Sequence, residues 1–428
     1  MARLLIPTRN RPESLRSVIA YLDSFHPDAR VIIADGSSGD FAAQNKAAAQ
    51  SQDLRIQIDY RQFSYELPFF DRILAVLQAE EDEFFIMGSD DDYPLMDALG
   101  RAEDLLRADA SATTAMGATL KLMLRAEADL TAGLTANHTL RGKSAQIRAQ
   151  TYAAYSFSTT YAVTRRSHLI ERYQRAKEVF LPKFFDFGVG LHDVLAGNLI
   201  AVPEITFIAT RNFNHTYLRS SDRFIFINRP AEFMTMLDQI QTDVAHHCAL
   251  DMEKAHGVAS VMLSQCIIKT LGGAPAKRAE ALAAATKEGA MTAQVMAFFD
   301  LFTAGTPLRA QIEPRLRFVA DALRAVATSN DNAGEKSFVD SLDAQTVRQV
   351  AQQDNKMFTV KARLAKDFRT GAGPVPNNVA VNPKTLLFVS GPPTAQPATA
   401  QPAPVQRSPA RKTGLLRKIK KLFRRTAA

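Results

Sequence analysis

The sequence predicts an α/β fold with a largely parallel central sheet, followed by an α-helical extension and a disordered tail. Three observations lead there. Short apolar runs alternate with amphipathic segments over the first 120 residues, the pattern turns helical and Ala-rich from about residue 230, and nine of the 20 prolines fall between residues 371 and 410.

In chain order, "ARLLI" (Ala2 to Ile6), "ARVIIA" (Ala29 to Ala34), "LRIQIDY" (Leu54 to Tyr60) and "EFFIM" (Glu83 to Met87) have the length and side chains of strands. "PESLRSVIAYLDSF" and "PFFDRILAVLQAEE" between them carry apolar residues at helical spacing. Strand-like runs recur at "TTAMGATLKLML", "FSTTYAVT" and "LIAVPEITFIAT", with helices expected over Arg166 to Lys177 and Phe184 to Ala196. The first domain is expected to span residues 1–225. Residues 226–370 read as a helical extension without a motif that carries chemistry. Its adjacent His246 and His247 point in different directions on a helix and read as solvated or packed. Residues 371–410, rich in Pro, Ala and Gln, bury too little apolar surface to offset chain entropy and read as a disordered linker.

With 428 residues, 46% hydrophobic and 22% charged, the composition is that of a globular protein. Cys248 and Cys266 stand apart from any Cys/His cluster, which excludes a disulfide scaffold or a structural zinc knot built on cysteine. "MARLLIPTRNRPE" is too polar for a signal peptide, and no window offers the ~20 apolar residues of a membrane span, so a cytoplasmic location is expected. The net charge is +8, but nine Lys or Arg and no acid lie between Arg407 and Ala428, which leaves −1 on everything before them. A neutral body argues against a nucleic-acid surface.

In open parallel sheets, ligands bind outside the carboxyl ends of the strands. Three polar stretches fall there: "PTRNRPESL" after the first strand, "DGSSGD" after the second and "GSDDDYP" after the fourth. Read as "IPTRNR" (Ile6 to Arg11), "ADGSSGD" (Ala34 to Asp40) and "SDDD" (Ser89 to Asp92), their order resembles the GT-A fold glycosyltransferases of the family 2-like inverting type. The resemblance covers about Ala2 to Arg223. It implies a Rossmann-like GT-A domain that takes a nucleotide-sugar donor, with a UDP-sugar favoured, and a Mg²⁺ or Mn²⁺ ion.

The resemblance also implies roles. Asp92 would hold the metal directly, with Asp90 on the ribose or a metal-bound water. The alternative for Asp92 is a cap on a helix starting at Pro94. Asp91 would turn elsewhere. Asp35 would accept a hydrogen bond from the nucleotide base, with Pro7, Thr8 and Ser37 lining the same pocket. Arg9 and Arg11 would face the diphosphate, since guanidinium groups offer forked donors to phosphate, and Arg72 would stand beside the nucleotide. Inverting transfer needs a carboxylate to deprotonate the acceptor hydroxyl. Asp193 in "GLHDVLAG" matches the family's acidic pair, although His192 replaces the usual Glu, and Asp186 in "KFFDFG" competes for the role. His215 would be a further metal ligand, and Arg219 and Arg223 would belong to a lid.

Residues 411–428 include "GLLRKIKKLFRR", whose apolar residues form one helical stripe opposite a basic face. Such a helix on a long tether reads as an anchor on an anionic membrane surface. Together the readings describe a peripheral membrane enzyme of surface-glycan synthesis with a glycan or lipid-linked acceptor. The alternatives are a sugar-nucleotide nucleotidyltransferase and a non-catalytic glycan-binding protein of the same fold. A nucleotidyltransferase would be expected to carry a glycine-rich phosphate loop after the first strand, and "PTRNRPES" has no glycine.

Overall fold

The structure is a computed structural model. It describes residues 1–124, 130–142, 144–155, 158–178, 185–211, 230–270, 290–302, 305–327 and 329, and the short strands at 362–363, 379–382 and 387–390. His215, Arg219, Arg223 and residues 411–428 lie outside the described residues, as does most of the linker at 371–410. Among the described residues, no helix is long and apolar enough to cross a membrane.

The expected alternation is present. The first half runs β1 (Arg3–Thr8), α1 (Pro12–Phe25), β2 (Arg30–Asp35), α2 (Gly39–Ala49), β3 (Gln57–Gln62), α3 (Phe69–Ala79) and β4 (Phe84–Met87). Strand β1 pairs in parallel with β2 and β4, and β2 with β3. Side chains on a strand alternate between faces. Leu4 and Ile6 of β1 accordingly pack with Leu15, Val18 and Leu22 of α1, whereas Leu5 packs with Ile73 and Leu77 of α3. A sheet covered on both faces needs apolar residues on both, and "RLLI" and "RVII" supply them.

The second half is mixed. It contains β5 (Tyr93–Pro94), α4 (Met96–Ala108), β6 (Ala112–Leu124), β7 (Leu130–Thr135), α5 (Ala145–Tyr155), β8 (Val163–Arg165), α6 (Arg166–Glu178), α7 (Phe185–Ala196) and β9 (Asn198–Arg211). Strand β8 joins β4 to β6, antiparallel to both, and the long β6 and β9 run parallel to each other. Pro94 does not start a helix as expected: Tyr93–Pro94 pairs antiparallel with β9, and α4 begins two residues later behind Leu95. Asp92 therefore caps nothing.

The helical extension forms as α8 (Pro230–Cys248), α9 (Met252–Thr270), α10 (Ala290–Phe302) and α11 (Pro307–Ala327). It does not stand apart after residue 225. Phe298, Leu301, Ile312, Leu316, Val319 and Leu323 belong to the same apolar cluster as β1, α1 and α4, and Met1–Gly391 form one compact unit. Helices α8 and α9 pack against α5 and α7 around Tyr152, Phe187 and Leu191. The fully buried Gln294 of α10 donates to Val202 O (2.6 Å) and Asn137 Oδ1 (3.0 Å) and accepts from Asn137 N–H (2.9 Å). Strand character also appears where none was expected: β10 (Ala362–Arg363) pairs with β7, and β11 (Val379–Asn382) pairs with β12 (Leu387–Ser390) inside the Pro-rich stretch.

Candidate active site

The carboxyl ends of β1, β2 and β4 lie side by side, and the three polar stretches that follow them meet. Thr8 Oγ1 donates to Asp90 Oδ2 at 2.8 Å, and Asn10 N–H donates to Ser37 Oγ at 2.7 Å. Asn10 holds a positive φ of 56°, a conformation its short polar side chain tolerates, and so turns the "PTRNR" loop across the strand ends. Arg72, reaching from α3, donates to the carbonyls of Thr8 (2.9 Å) and Ala34 (3.2 Å) and ties β1 to β2 behind the loops. Gly36 makes this possible, because a Cβ at that position would fall inside the Arg72 guanidinium. Burial holds the Arg72 guanidinium below its ordinary pKa, with the neighbouring Arg9 acting in the same direction.

Arg11 answers the electrostatic problem posed by three consecutive aspartates. Its Nη1 donates to Asp90 Oδ1 at 2.6 Å and its Nη2 to Asp91 Oδ2 at 2.8 Å. Arg11 was expected to face a diphosphate, yet here it bridges two carboxylates. Arg9 lies over the ring of Tyr65, 3.8 Å from its centroid, a cation–π contact at the rim. Pro7 is an interior residue of β1, in register with Ala34.

Asp92 turns away from its neighbours. Its Oδ1 accepts the backbone N–H of Thr210 at 2.6 Å and its Oδ2 accepts the Tyr161 hydroxyl. Asp91, the aspartate of the three that is only half-buried, also accepts from Ser89 Oγ and lines a small cleft with Arg11, Ser14, Tyr93, Thr210, Leu323 and Val326. Burial, then the carboxylates of Asp92 and Asp91 and more weakly Asp186, push the Tyr161 phenol well above its ordinary range.

Asp35 is fully enclosed. Its Oδ1 accepts Ser37 N–H at 2.7 Å, and its Oδ2 accepts Asn45 Nδ2 at 2.9 Å and the Tyr60 hydroxyl at 2.7 Å. Where the sequence reading expects a nucleotide base, this structure has protein donors on the carboxylate. Asn45 of α2 and Tyr60 of β3 cover its carboxylate, which shapes the Ser37 loop from below.

Asp193, expected as the base, is also enclosed. Its side chain is fully buried, with Oδ2 accepting Arg172 Nη1 (3.0 Å) and Thr159 Oγ1 (2.5 Å), and Oδ1 bonded to His168 Nε2 (2.8 Å). Burial alone would raise its pKa, but the Arg172 guanidinium and the His168 contacts outweigh that and hold the carboxyl well below the usual range. In this structure the carboxylate is occupied by these three side chains. Asp186, in the first turn of α7, is exposed and accepts hydrogen bonds from Thr160 Oγ1 (3.1 Å) and Ser158 Oγ (3.2 Å).

Metal fit follows from these positions. Asp90, Asp91 and Asp92 are hard oxygen donors of the type Mg²⁺ or Mn²⁺ takes. Asp92 is engaged by a strand N–H and the Tyr161 phenol, so a direct ligand role does not fit it in this structure. Asp90 and Asp91 fit better, because the side-chain cation on them, Arg11, is one that a metal or a substrate can displace. Sequence reading found Thr8, Arg11, Ser37, Arg72 and the aspartates. It missed Asn45, Tyr60, Thr159, Tyr161, His168, Arg172 and Thr210, which stand in no motif and act only through tertiary contact.

No family model matches the sequence, and no curated protein matches it. Among solved structures, the chain is similar to S. aureus TarS 1-349 in complex with UDP-GlcNAc, at 14% identity over 78% of this chain and 92% of that one, with a TM-score of 0.42. It is also similar to mannosyltransferase PcManGT from Pyrobaculum calidifontis in complex with GDP-Man and Mn²⁺ (12% identity, 77% of this chain, 86% of that one, TM-score 0.35). A third is glucosyl-3-phosphoglycerate synthase from Mycobacterium tuberculosis with Mn²⁺, UDP-Glc and glycerol 3-phosphate (13%, 59%, 81%, TM-score 0.27). At such identities and TM-scores the likeness decides nothing by itself, and the functional case falls to the side chains.

Proposed function

We propose that the protein is a nucleotide-sugar-dependent glycosyltransferase. The observation that carries this reading is the meeting of three sequence-distant polar loops along the carboxyl-end edge of the parallel strands, where the Thr8–Asp90 bond and the Arg11 bridge join "PTRNR" to "SDDD" and the Asn10–Ser37 bond joins it to "DGSSGD". An open parallel sheet binds its ligand at that edge, and a guanidinium bridging two carboxylates is a ready partner for a diphosphate. The solved glycosyltransferases named above were crystallised with UDP-GlcNAc, GDP-Man and UDP-Glc, in keeping with such a donor.

The reaction is read as inverting transfer to a glycan or lipid-linked acceptor. Mg²⁺ or Mn²⁺, held by Asp90 and Asp91, would neutralise charge on the departing nucleoside diphosphate. Arg11, released from those carboxylates, would turn to the phosphates, with Arg9 at the rim. Asp186 would take the proton of the acceptor hydroxyl; its exposure supports that role. Asp193 keeps α6 and α7 together. The basic stripe within residues 411–428 is proposed to hold the enzyme at an anionic membrane surface, on the cytoplasmic side.

Thermal-shift titration of the full chain with UDP, GDP and CMP derivatives, with and without Mn²⁺, tests the reading. At a free concentration 100 times Kd, a ligand should add about 2.7 kcal/mol of stability. The metal-dependent part of that shift should disappear in Asp91→Asn. Absence of any shift would leave a non-catalytic role, and a shift with nucleoside triphosphates alone would favour the nucleotidyltransferase.

A further inference from the structure

The residue that departs from the family-like acidic pair, His192, opens onto a second cluster of ligand-type side chains. His192 is 4% exposed, and neither of its ring nitrogens has a protein hydrogen-bond partner. A buried polar group without a partner costs free energy and calls for an explanation. Its surroundings supply one. His168 of α6 stacks on His192 with ring centroids 5.0 Å apart and planes within 2°. Glu171 stands one helical turn beyond His168, with its Oε1 3.9 Å from His192 Nε2. His247 of α8 meets the His192 ring edge-on at 6.0 Å.

We infer that His168, Glu171 and His192 form a binding site for a transition-metal dication of the Zn²⁺ class, with His247 at its margin. The three side chains each bring a ligand atom within 4.8 Å of the others. Donors around tetrahedral zinc stand about 3.3 Å apart, given bonds of about 2.0–2.1 Å to nitrogen and oxygen. Closing it takes a turn of Glu171, whose side chain is 51% exposed, and a rotation of at least one imidazole, because stacked parallel rings hold their in-plane nitrogen lone pairs parallel. Two imidazoles and a carboxylate suit zinc better than Mg²⁺, which takes oxygen ligands almost exclusively.

The outer partner is also in place. His168 Nε2 is bonded to the buried Asp193, which leaves Nδ1 for the metal and fixes the ring, as carboxylates behind zinc-bound histidines do. The site would pin α6 to α7, whose first turn carries Asp186, and to α8. It is independent of the aspartate cluster and of the proposed transfer reaction.

The test uses the full chain, free of any histidine tag, dialysed against Zn²⁺ or Co²⁺ and assayed for bound metal by mass spectrometry and for the visible Co²⁺ spectrum. One equivalent of Zn²⁺ is expected, with tetrahedral-type Co²⁺ absorption. Glu171→Gln, on an exposed side chain that leaves folding intact, should weaken binding by at least the roughly 10- to 100-fold that loss of an outer partner costs. His192→Leu, close to histidine in volume and without a ligand atom, should abolish the Co²⁺ signal, and Asp91→Asn should retain it. No retained metal in the wild-type chain would overturn the inference, as would full retention in both Glu171→Gln and His192→Leu.

Discussion

The two places where carboxylates gather have opposite characters. At Asp90 to Asp92, three acids crowd the end of β4, and the guanidinium that Asp90 and Asp91 share, Arg11, comes from a loop and is partly exposed. At Asp193, one acid is wholly enclosed by Arg172, Thr159 and His168, all of them buried. The first arrangement can exchange partners with a substrate, whereas the second cannot without unfolding around itself. An acid's position in a motif does not say which of the two it belongs to. Its burial and the origin of its donors do.

The largest effect is expected where this division assigns chemistry. Asp186→Asn should slow transfer to acceptor by roughly 10²- to 10⁴-fold while leaving nucleotide binding and the unfolding midpoint in place. An equal loss of stability would return Asp186 to a structural role and break the contrast. Next, Arg172→Met leaves Asp193 buried without its cation and should destabilise the fold by about 3–5 kcal/mol, measured by urea unfolding. A change below ~1 kcal/mol would mean that Asp193 tolerates exposure and behaves like the Asp90 cluster.

A smaller effect sets the Asp193 anchor against a buried histidine elsewhere in the fold. Burial, with help from Arg315, lowers the His26 pKa from 6.5 to about 4. The unfolded chain therefore takes up a proton between those values that the folded chain refuses, so stability falls as pH drops from 6.5 to 4, by about 3 kcal/mol in all. Asp193, whose pKa is depressed, contributes fully above the ordinary carboxylate value and loses its contribution only as pH falls below that value. His26→Leu should flatten the unfolding free energy between pH 6.5 and 4.5. An unchanged slope would assign the loss elsewhere.

The parallel half of the sheet was legible because it is local. Runs such as "RLLI" and "FFIM" are apolar on both faces, and the turns after them carry Asn10, Gly36 and Gly88. The site loops were legible for the same reason, each being continuous in sequence. What was not legible is relational. Asp193 fits a motif as well as Asp186 does, and only Arg172, 21 residues earlier on another helix, reveals that it is a buried anchor. Asp92 was assigned by its place in a triplet, yet Thr210, 118 residues later, decides where it points. Strand β5 escaped notice because Pro94 reads as a helix start, and two residues of pairing leave no periodicity to detect.

The joint made by Gln294 also has a consequence in time. Asn137, two residues past β7, and Val202 of β9 receive their partner from a side chain 157 residues beyond Asn137. At roughly 5–20 residues per second, a ribosome needs on the order of 10–30 s to supply it. For that interval the strands emerge with polar groups unanswered and an apolar face waiting for α10 and α11, which makes the nascent protein a client for whatever holds unfinished sheets apart.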